Sequence, residues 1–166
     1  MLEVKAFDNE GLIKFVDIKK VKINNEDSFY LVNCHFNSFK ISDDIDDINE
    51  KEVCKSVIRK LVNGFMSRTE ITELLLKKLP DDKLPIVICG DFNDTPMSYT
   101  YYRMTRGRQD AFVRGGSGLG ATYSYLWPLL RIDYVLFPDE YKVGDCEVHK
   151  VKFSDHYPVV AEINFK

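Results

Sequence analysis

The sequence predicts an α/β fold that contains a mixed, mostly antiparallel sheet and one long helix. Apolar residues recur with helical spacing through one long stretch of the chain, and short apolar runs bounded by turn residues occur on both sides of it. The 166 residues, 45% of them hydrophobic and 30% charged, suffice for one domain with a substantial core. Strands and a long helix of this kind pack as layers around such a core.

Two strands open the chain, and we expect them to form a hairpin. Leu12 to Ile18 alternates imperfectly between apolar and polar residues, and Ser28 to Cys34 is a second run typical of a strand. The intervening residues, Asn24 to Asp27, are of the types that turns prefer. The two strands are therefore predicted to pair with each other.

The dominant helix is predicted from Asn49 to Leu79. Its apolar residues fall into two series with four-residue spacing, Val53, Val57, Leu61 and Phe65, followed by Ile71, Leu75 and Leu79. Gly64 is a place where the helix could bend. Lys77 and Lys78 suit the negative end of the helix dipole, and Pro80 cannot continue the helix, so its end is well marked.

The second half of the chain is predicted to supply the remaining strands. Ile86 to Cys89 is an apolar run, and a polar and aromatic stretch follows it, with a short helix expected near Ser98 to Met104. The other predicted strands are Ala121 to Tyr125, Ile132 to Phe137, Cys146 to Val151 and Val159 to Ile163. No linker and no internal repeat divides the chain, so residues 1–166 are interpreted as a single unit.

Charge and cysteine content narrow the classes of function. The net charge of −3 gives no indication of a general nucleic-acid or acidic-membrane binder. The four cysteines have no CxxC spacing and are interpreted as reduced, buried residues rather than as disulfides or metal ligands. There is no signal peptide and no apolar run of about 18 residues, so the chain is expected to be soluble.

Acidic and amide side chains follow or interrupt the predicted strands. Asp91 and Asn93 come directly after the apolar run that ends at residue 89. Asp133 interrupts another apolar run, where an unpaired carboxylate would be costly, and it is a natural acceptor for fixing the tautomer of His156. Ligands collect where the strands of an α/β sheet end. We therefore expect these residues to share one acidic pocket with Asp155.

Three motifs occur in an order that points to a family. They are GDFN at residues 90–93, RIDY at residues 131–134 and SDHYP at residues 154–158. Together they resemble the endonuclease/exonuclease/phosphatase superfamily, which has the fold of deoxyribonuclease I, and the resemblance covers nearly the whole chain from Leu12 onward. In LVNCHFNS, residues 31–38, His35 stands where the family often has a histidine. GDFNDTPMSYTYYRM and GSGLGATY resemble a bacterial branch in which the domain follows membrane helices, which implies a bacterial, membrane-associated parent protein.

The resemblance implies two stacked sheets and a hydrolase of phosphate esters that uses Mg²⁺, or a similar hard cation such as Mn²⁺. Asp91 would hold or deprotonate the attacking water at the metal site. Asn93 would fix Asp91 and contact a phosphate oxygen of the substrate. Asp155 would contact the metal directly or through water. The substrates implied are nucleic acids, phospholipids or small phosphoesters.

The same resemblance gives roles to the remaining candidates. His156, oriented by Asp133, would act as general base or stabilise charge in the transition state, so the base is left open between Asp91 and His156. His35 would donate a hydrogen bond or a proton near the leaving oxygen. Thr122 is a candidate for a phosphate contact, and its interpretation as an ordinary strand threonine is equally good.

The resemblance also implies a metal ligand that the chain lacks. The family's principal metal ligand is a glutamate in the N-terminal half of the domain, and neither Glu3 nor Glu10 lies in that context. We therefore expect the chain to be the C-terminal half of such a domain, with the N-terminal half as its partner. Weak metal affinity and little or no hydrolase activity are expected of the chain alone. One face of its sheet is expected to be bare and to cause self-association.

Other interpretations stay open from the sequence. A domain that keeps this fold could serve as a binding or interaction module without catalysis. The aromatic residues from Tyr99 to Trp127 are interleaved with arginines and could stack on bases, or could fill the core under loops. The segment Gly115 to Gly120 lacks the lysine of a phosphate-binding loop and is interpreted as a plain loop. Arg68 and His149 are interpreted as surface residues.

Overall fold

The computed structural model describes residues 5–6, 15–23, 27–38, 50–81, 83–125 and 129–165, and for residues 5, 6, 15, 50–58 and 60 only the backbone. In chain order the elements are β1 Lys5–Ala6, β2 Phe15–Lys22, β3 Ser28–His35, α1 Glu50–Lys78, β4 Ile86–Asp91, α2 Tyr99–Met104, β5 Arg108–Asp110, α3 Ala111–Gly115, β6 Asp133–Pro138, β7 Lys142–Val148 and β8 Val159–Asn164. None of the helices in these ranges is both long enough and apolar enough to cross a membrane.

The described strands form two sheets. The larger has six strands in the order β1-β2-β3-β4-β6-β5. In it β3 and β4 run parallel, and the other pairings are antiparallel. Strands β7 and β8 pair with each other in a second, two-stranded sheet. The α/β class, the mixed and mostly antiparallel sheet, the β2–β3 hairpin and the presence of two sheets are thus confirmed.

Helix α1 covers one face of the larger sheet. Side chains alternate between the two faces of a strand, and Val16 and Ile18 of β2 are accordingly buried on the same face as Val32 of β3. They pack in one cluster with Ile71 and Leu75 of α1, which belong to the second apolar series of the predicted helix. Each fully buried side chain of this size stabilises the fold by roughly 1.5–3 kcal/mol.

The opposite face packs against α3 and the second sheet. Ile88 belongs to the cluster under α1, whereas its neighbour Val87 belongs to a second cluster with Phe137, Ala111 and Cys146. The inward side chains of β8 are partly buried against this second cluster. The face that was expected to be bare is therefore covered in part by the same chain.

Some sequence-based boundaries were wrong. Ala121–Tyr125 is not a strand, because the backbone N–H groups of Thr122 and Tyr123 both donate to the carbonyl oxygen of Leu130 instead of forming a ladder. Only an isolated bridge links Tyr123 to His156. The predicted strand at residues 146–151 instead runs from residue 142 to residue 148.

Besides the two-residue strand β1, two short elements, β5 and α3, were not predicted. They meet at Asp110, whose carboxylate accepts the N–H groups of Phe112 and Val113 and so caps α3. Asp110 is buried, and its Oδ2 lies 2.6 Å from Nη1 of Arg131. Elements of three and five residues are too short to show a hydrophobic period.

The cysteines and the surface histidine behave as expected where they are described. Cys34, Cys89 and Cys146 are free thiols, and two of them are buried. The side chain of Cys54 lies outside the described residues. His149 directly follows β7 and is exposed, with its Nε2 3.1 Å from Oε2 of Glu147.

Candidate active site

Three neighbouring strands of the larger sheet bring candidate residues to one edge. His35 ends β3, Asp91 ends β4 and Asp133 begins β6. The register pairs His35 with Asp91 across the parallel strands, and Asp91 with Asp133 across the antiparallel strands. The convergence expected at the strand ends is therefore present, and Asp91 occupies its centre.

Gly90 permits the backbone shape that presents Asp91. Its φ is +125°, a conformation that residues with a Cβ rarely adopt. A Cβ atom at this position would also overlap the backbone carbonyl of Cys34 in β3. Three residues later, Asn93 has a φ of +50°, in the left-handed region that asparagine tolerates. Phe92, between them, is fully buried and anchors the turn in the core.

Asn93 holds the carboxylate of Asp91. Its backbone N–H donates to Oδ1 of Asp91 at 2.7 Å, and its Nδ2 donates to Oδ2 of Asp91 at 2.7 Å and to the carbonyl oxygen of Phe36 at 2.8 Å. Both N–H bonds of the amide are therefore used inside the protein, and its other polar atom, Oδ1, is an acceptor. A contact from Asn93 to a phosphate oxygen would need one N–H to change its partner, whereas a cation or a water molecule could bind Oδ1 directly.

His156 reaches the same point from the segment that precedes β8. Its Nδ1 lies 2.9 Å from Oδ2 of Asp133, and its Nε2 lies 3.9 Å from Oδ2 of Asp91. Because the carboxylate of Asp133 is an acceptor, Nδ1 carries the proton of the neutral imidazole and Nε2 faces Asp91 as an acceptor. The Tyr123 ring packs edge-on against the imidazole, with centroids 5.3 Å apart. On the other side, Nε2 of His35 lies 3.8 Å from Oδ2 of Asp91.

The electrostatics of this site show an excess of negative charge. Burial, and next the carboxylate of Asp133, raise the pKa of Asp91 to about 6, against smaller opposing effects of Asn93 and the two histidines. Burial alone would lower the pKa of His156, but the hydrogen bond to Asp133 and the charges of Asp133, Asp91 and Asp155 outweigh it, so this pKa lies above its ordinary value. The protein's own groups thus compensate the carboxylates only in part.

These groups line a cavity of about 960 Å³. Its polar lining includes all the candidate residues that meet at the strand ends: His35, Asp91, Asn93, Asp133, Asp155 and His156. Its other walls include the apolar side chains of Phe65, Met97, Tyr123 and Leu130. The cavity therefore combines an acidic floor with apolar sides, and it is large enough for a phosphoester together with part of the group that it esterifies.

The donor set fits a hard divalent cation. One ligand atom each from Asp91, Asp133 and His156 lie within 4.8 Å of one another. Two carboxylates with uncompensated charge suit Mg²⁺ or Mn²⁺, whereas the imidazole, whose Nδ1 is engaged by Asp133, keeps Nε2 as a proton acceptor beside the cation. Asp155 lines the same cavity but does not belong to this compact group: it is exposed, and its Oδ1 accepts a hydrogen bond from Oγ of Ser154 at 3.0 Å.

Thr122 lies beneath the site rather than in its wall. The residue is fully buried, and its Oγ1 accepts the backbone N–H groups of Ile132 at 3.0 Å and Asp133 at 3.1 Å. Its own carbonyl accepts the N–H of Tyr157. Thr122 thus joins the segment that carries His156 to the start of β6, and its contacts are structural.

The expectation that Arg68 lies on a solvated helix face is wrong. The side chain is fully buried; its Nε lies 3.1 Å from Oδ2 of Asp94, and its Nη1 donates to the carbonyl oxygen of Asn37 at 3.3 Å. It therefore joins the loops that follow β3 and β4. The sequence held a signal for this, because residue 68 precedes Ile71 and Leu75 by three and seven positions and so shares their face of the helix.

Solved structures of several proteins share this fold. An endonuclease/exonuclease/phosphatase family protein from Bacteroides thetaiotaomicron aligns with a TM-score of 0.71 and 18% identity over 99% of this chain and 65% of its own. A mannosyl-6-phosphatase from the same species aligns with a TM-score of 0.57 and 20% identity, over 91% and 57% of the two chains. The human Nocturnin catalytic domain, with bound sulfate, aligns with a TM-score of 0.60 and 15% identity, over 92% and 53%. The chain thus spans between half and two thirds of each of these structures.

Sequence comparison gives the family directly. No curated protein matches the chain. Residues 36–156, well over half of the chain, match the Endonuclease/Exonuclease/phosphatase family, and the matched region contains every candidate residue of the site except His35. The chain therefore belongs to the Endonuclease/Exonuclease/phosphatase family.

Proposed function

We propose that this chain supplies the catalytic groups of a divalent-cation-dependent phosphoester hydrolase. The observation that carries the proposal is the meeting of Asp91, Asp133 and His156 within 4.8 Å at adjoining strand ends. Membership of a family named for nucleases and phosphatases supports phosphoester hydrolysis, and so does the fold shared with a mannosyl-6-phosphatase. Phosphodiesters, with either a nucleic-acid or a lipid alcohol, and small phosphoesters are the substrate classes that we propose.

A cation held by Asp91, with Asp155 contacting it directly or through water, would supply Lewis-acid polarisation of the phosphoryl group and neutralise charge. Asp91 is held on both oxygens by Asn93, so its orientation is set before substrate arrives. Oδ1 of Asn93 offers a further oxygen ligand. We propose Mg²⁺ or Mn²⁺ as the cofactor, bound weakly by this chain alone.

His156 is the base that we propose for activating water. Asp133 holds its Nδ1–H, which leaves Nε2 as the acceptor on the cavity side, 3.9 Å from the carboxylate of Asp91. A water molecule held by Asp91 would be within reach of this nitrogen. The raised pKa of His156 makes it a stronger base than an isolated imidazole. His35, on the opposite side of Asp91 and half-exposed, is placed to donate a hydrogen bond to the leaving oxygen.

The activity of this chain alone is proposed to be low. It spans 53–65% of the length of the solved structures compared above, and its sequence offers no glutamate in the context of the family's principal metal ligand. The N-terminal half of such a domain is therefore the proposed partner. Self-association of the chain is a further proposal, and light scattering at tens of micromolar tests it.

Two measurements test this function, first cation binding and then turnover. Titration calorimetry with Mn²⁺ is expected to show weak binding that Asp91→Asn abolishes, while Asp139→Asn, at an exposed turn, leaves it unchanged. The low hydrolysis of bis(para-nitrophenyl) phosphate that remains is then expected to require the cation and to disappear in Asp91→Asn. Absence of cation binding would favour a non-catalytic binding domain. Turnover as fast as that of full-length family members would contradict the proposed low activity.

A further inference from the structure

We propose that the mouth of the acidic cavity docks onto a lipid bilayer, so that its substrates are phosphoesters displayed at a membrane surface. The chemical part of this inference rests on the function proposed above, whereas the docking part does not. Four side chains carry it, and we call them the apolar rim: Met97, Tyr125, Leu129 and Phe153.

The apolar rim is the most solvent-exposed apolar feature of the described residues. The exposed fractions are 97% for Met97, 93% for Phe153, and 77% for both Tyr125 and Leu129, which are the four highest values among the large apolar side chains described. All four lie at turns. Isolated exposed apolar residues are common on protein surfaces, but a concentration of the most exposed ones at a single site marks an interaction surface.

The position of the apolar rim connects it to the cavity. Met97 lines the cavity itself. Leu129 and Phe153 directly precede the lining residues 130 and 154, and the Tyr125 ring packs against the ring of Tyr123 with centroids 5.7 Å apart. Apolar side chains of the rim therefore lie on three loops, each of which also contributes at least one residue to the lining of the cavity that holds the carboxylates.

The chemistry of the surface favours an amphiphile. A phospholipid brings a phosphoester that fits the acidic, cation-binding floor and an apolar region that fits the rim. Lys152 directly precedes Phe153 and is exposed, so this loop also offers a positive charge to anionic headgroups. Met97 and Leu129 have no aromatic face for stacking on a base, so the rim suits hydrocarbon better than single-stranded nucleic acid.

Vesicle sedimentation tests the docking without depending on catalysis. The probe is a vesicle of phosphatidylcholine with roughly one phosphatidylglycerol in three, used with the 166-residue chain. The double variant Leu129→Ser/Phe153→Ser is expected to bind about tenfold or more weakly than the unaltered chain. The control Val113→Ser/Leu119→Ser removes side chains with exposed fractions of 63% and 72% that do not line this cavity, and it is expected to bind normally.

The outcomes separate the two proposals. The lipid inference is overturned if both double variants bind vesicles equally, or if the unaltered chain does not bind them. It is also overturned if the rim variant loses binding to a single-stranded oligonucleotide but not to vesicles. The inference is supported if the rim variant and the unaltered chain hydrolyse bis(para-nitrophenyl) phosphate equally but the rim variant hydrolyses vesicle phospholipid more slowly. If the rim variant alone loses vesicle binding, the docking stands whether or not either ester is hydrolysed. The proposed chemistry fails separately, if the chain shows no Mn²⁺ binding that Asp91→Asn abolishes. All four substituted side chains are exposed, so both double variants are expected to fold normally. Circular dichroism checks this.

Discussion

Nδ1 of His156 lies 2.9 Å from Oδ2 of Asp133, a residue 23 positions earlier in the sequence. This contact fixes both the ring orientation and the tautomer of the histidine, and it leaves Nε2 facing Asp91. It joins the β6 strand to the segment before β8, and so makes one unit of two motifs that are separate in the sequence.

The first prediction concerns this contact. Asp133→Asn is expected to lower the pKa of His156, because both the hydrogen bond to the ionised carboxylate and its charge favour the imidazolium. The C2–H resonance of the histidine in NMR spectra, recorded against pH in metal-free buffer, measures this shift. Glu147→Gln is the control, because Glu147 pairs with His149 on the surface. An unchanged titration of His156 in Asp133→Asn would show that the two side chains do not interact in solution.

The second prediction concerns the pH dependence of stability without metal. The raised pKa of Asp91 means that the folded state binds this proton more tightly than the unfolded chain does. Stability is therefore expected to fall as pH rises from about 4 to about 6. Because the pKa of His156 is also raised in the folded state, stability is expected to fall further as pH rises above the ordinary pKa of histidine. Urea unfolding at several pH values measures the fall.

In Asp133→Asn the fall between about pH 4 and pH 6 is expected to be smaller, because the like charge beside Asp91 is gone. Added Mg²⁺ is expected to restore stability more at neutral pH than at about pH 5, where Asp91 is largely protonated. Stability that rises steadily over this window in the metal-free protein, or a cation effect independent of pH, would contradict the charge assignment.

The third prediction concerns Gly90. Gly90→Ala is expected to destabilise the fold by roughly 3 kcal/mol or more, because the new Cβ adopts an unfavourable φ and overlaps the carbonyl of Cys34. Gly107→Ala is the matched control: its φ of +69° is also unfavourable, but a Cβ there meets no atom within 4 Å, so about 1 kcal/mol is expected. Chemical denaturation compares the two variants, and equal costs would remove the steric argument.

The fourth prediction concerns Arg68. Arg68→Met is expected to cost about 3–5 kcal/mol, because it leaves the buried carboxylate of Asp94 without its cation. The double variant Arg68→Met/Asp94→Leu is expected to recover much of this loss, since no buried charge is left unpaired. Arg103→Met breaks a half-exposed pair with Glu73 and is expected to cost far less. A similar loss of stability for Arg68→Met and Arg103→Met, measured in urea, would contradict this role.

Much of this fold could be predicted from the sequence because its strands and its helix are long enough to show a hydrophobic period. Ser28–His35 and the C-terminal half of α1 are examples. Thr122 and Tyr123 have strand-like residue types, yet their backbone bonds to the carbonyl of Leu130, a long-range contact that local propensity does not encode. The short elements at Asp110 depend on a cap and a buried ion pair rather than on a repeat.

The candidate site was easier to predict than its supports. Asp91 follows an apolar run, and Asp133 interrupts another where an unpaired carboxylate would be costly, so a shared acidic pocket could be predicted from the sequence. Arg68 was misinterpreted, because an arginine on a helix is usually exposed and its burial depends on Asp94, 26 residues away. The apolar rim likewise lies on three loops that are far apart in the sequence and that share one cavity, which the order of residues does not show.

Paramagnetic broadening by Mn²⁺ tests the shared site most directly, because it needs no catalysis and the chain has three histidines at informative positions. His35 and His156 flank Asp91 at 3.8 Å and 3.9 Å, whereas His149 directly follows β7 and lies beside Glu147. Substoichiometric Mn²⁺ is expected to broaden the C2–H resonances of His35 and His156 together and to leave that of His149 sharp. In Asp91→Asn, the broadening of the His35 and His156 resonances is expected to disappear. Broadening of His149 first, or of His35 and His156 at separate Mn²⁺ concentrations, would contradict a single metal-binding site at these strand ends.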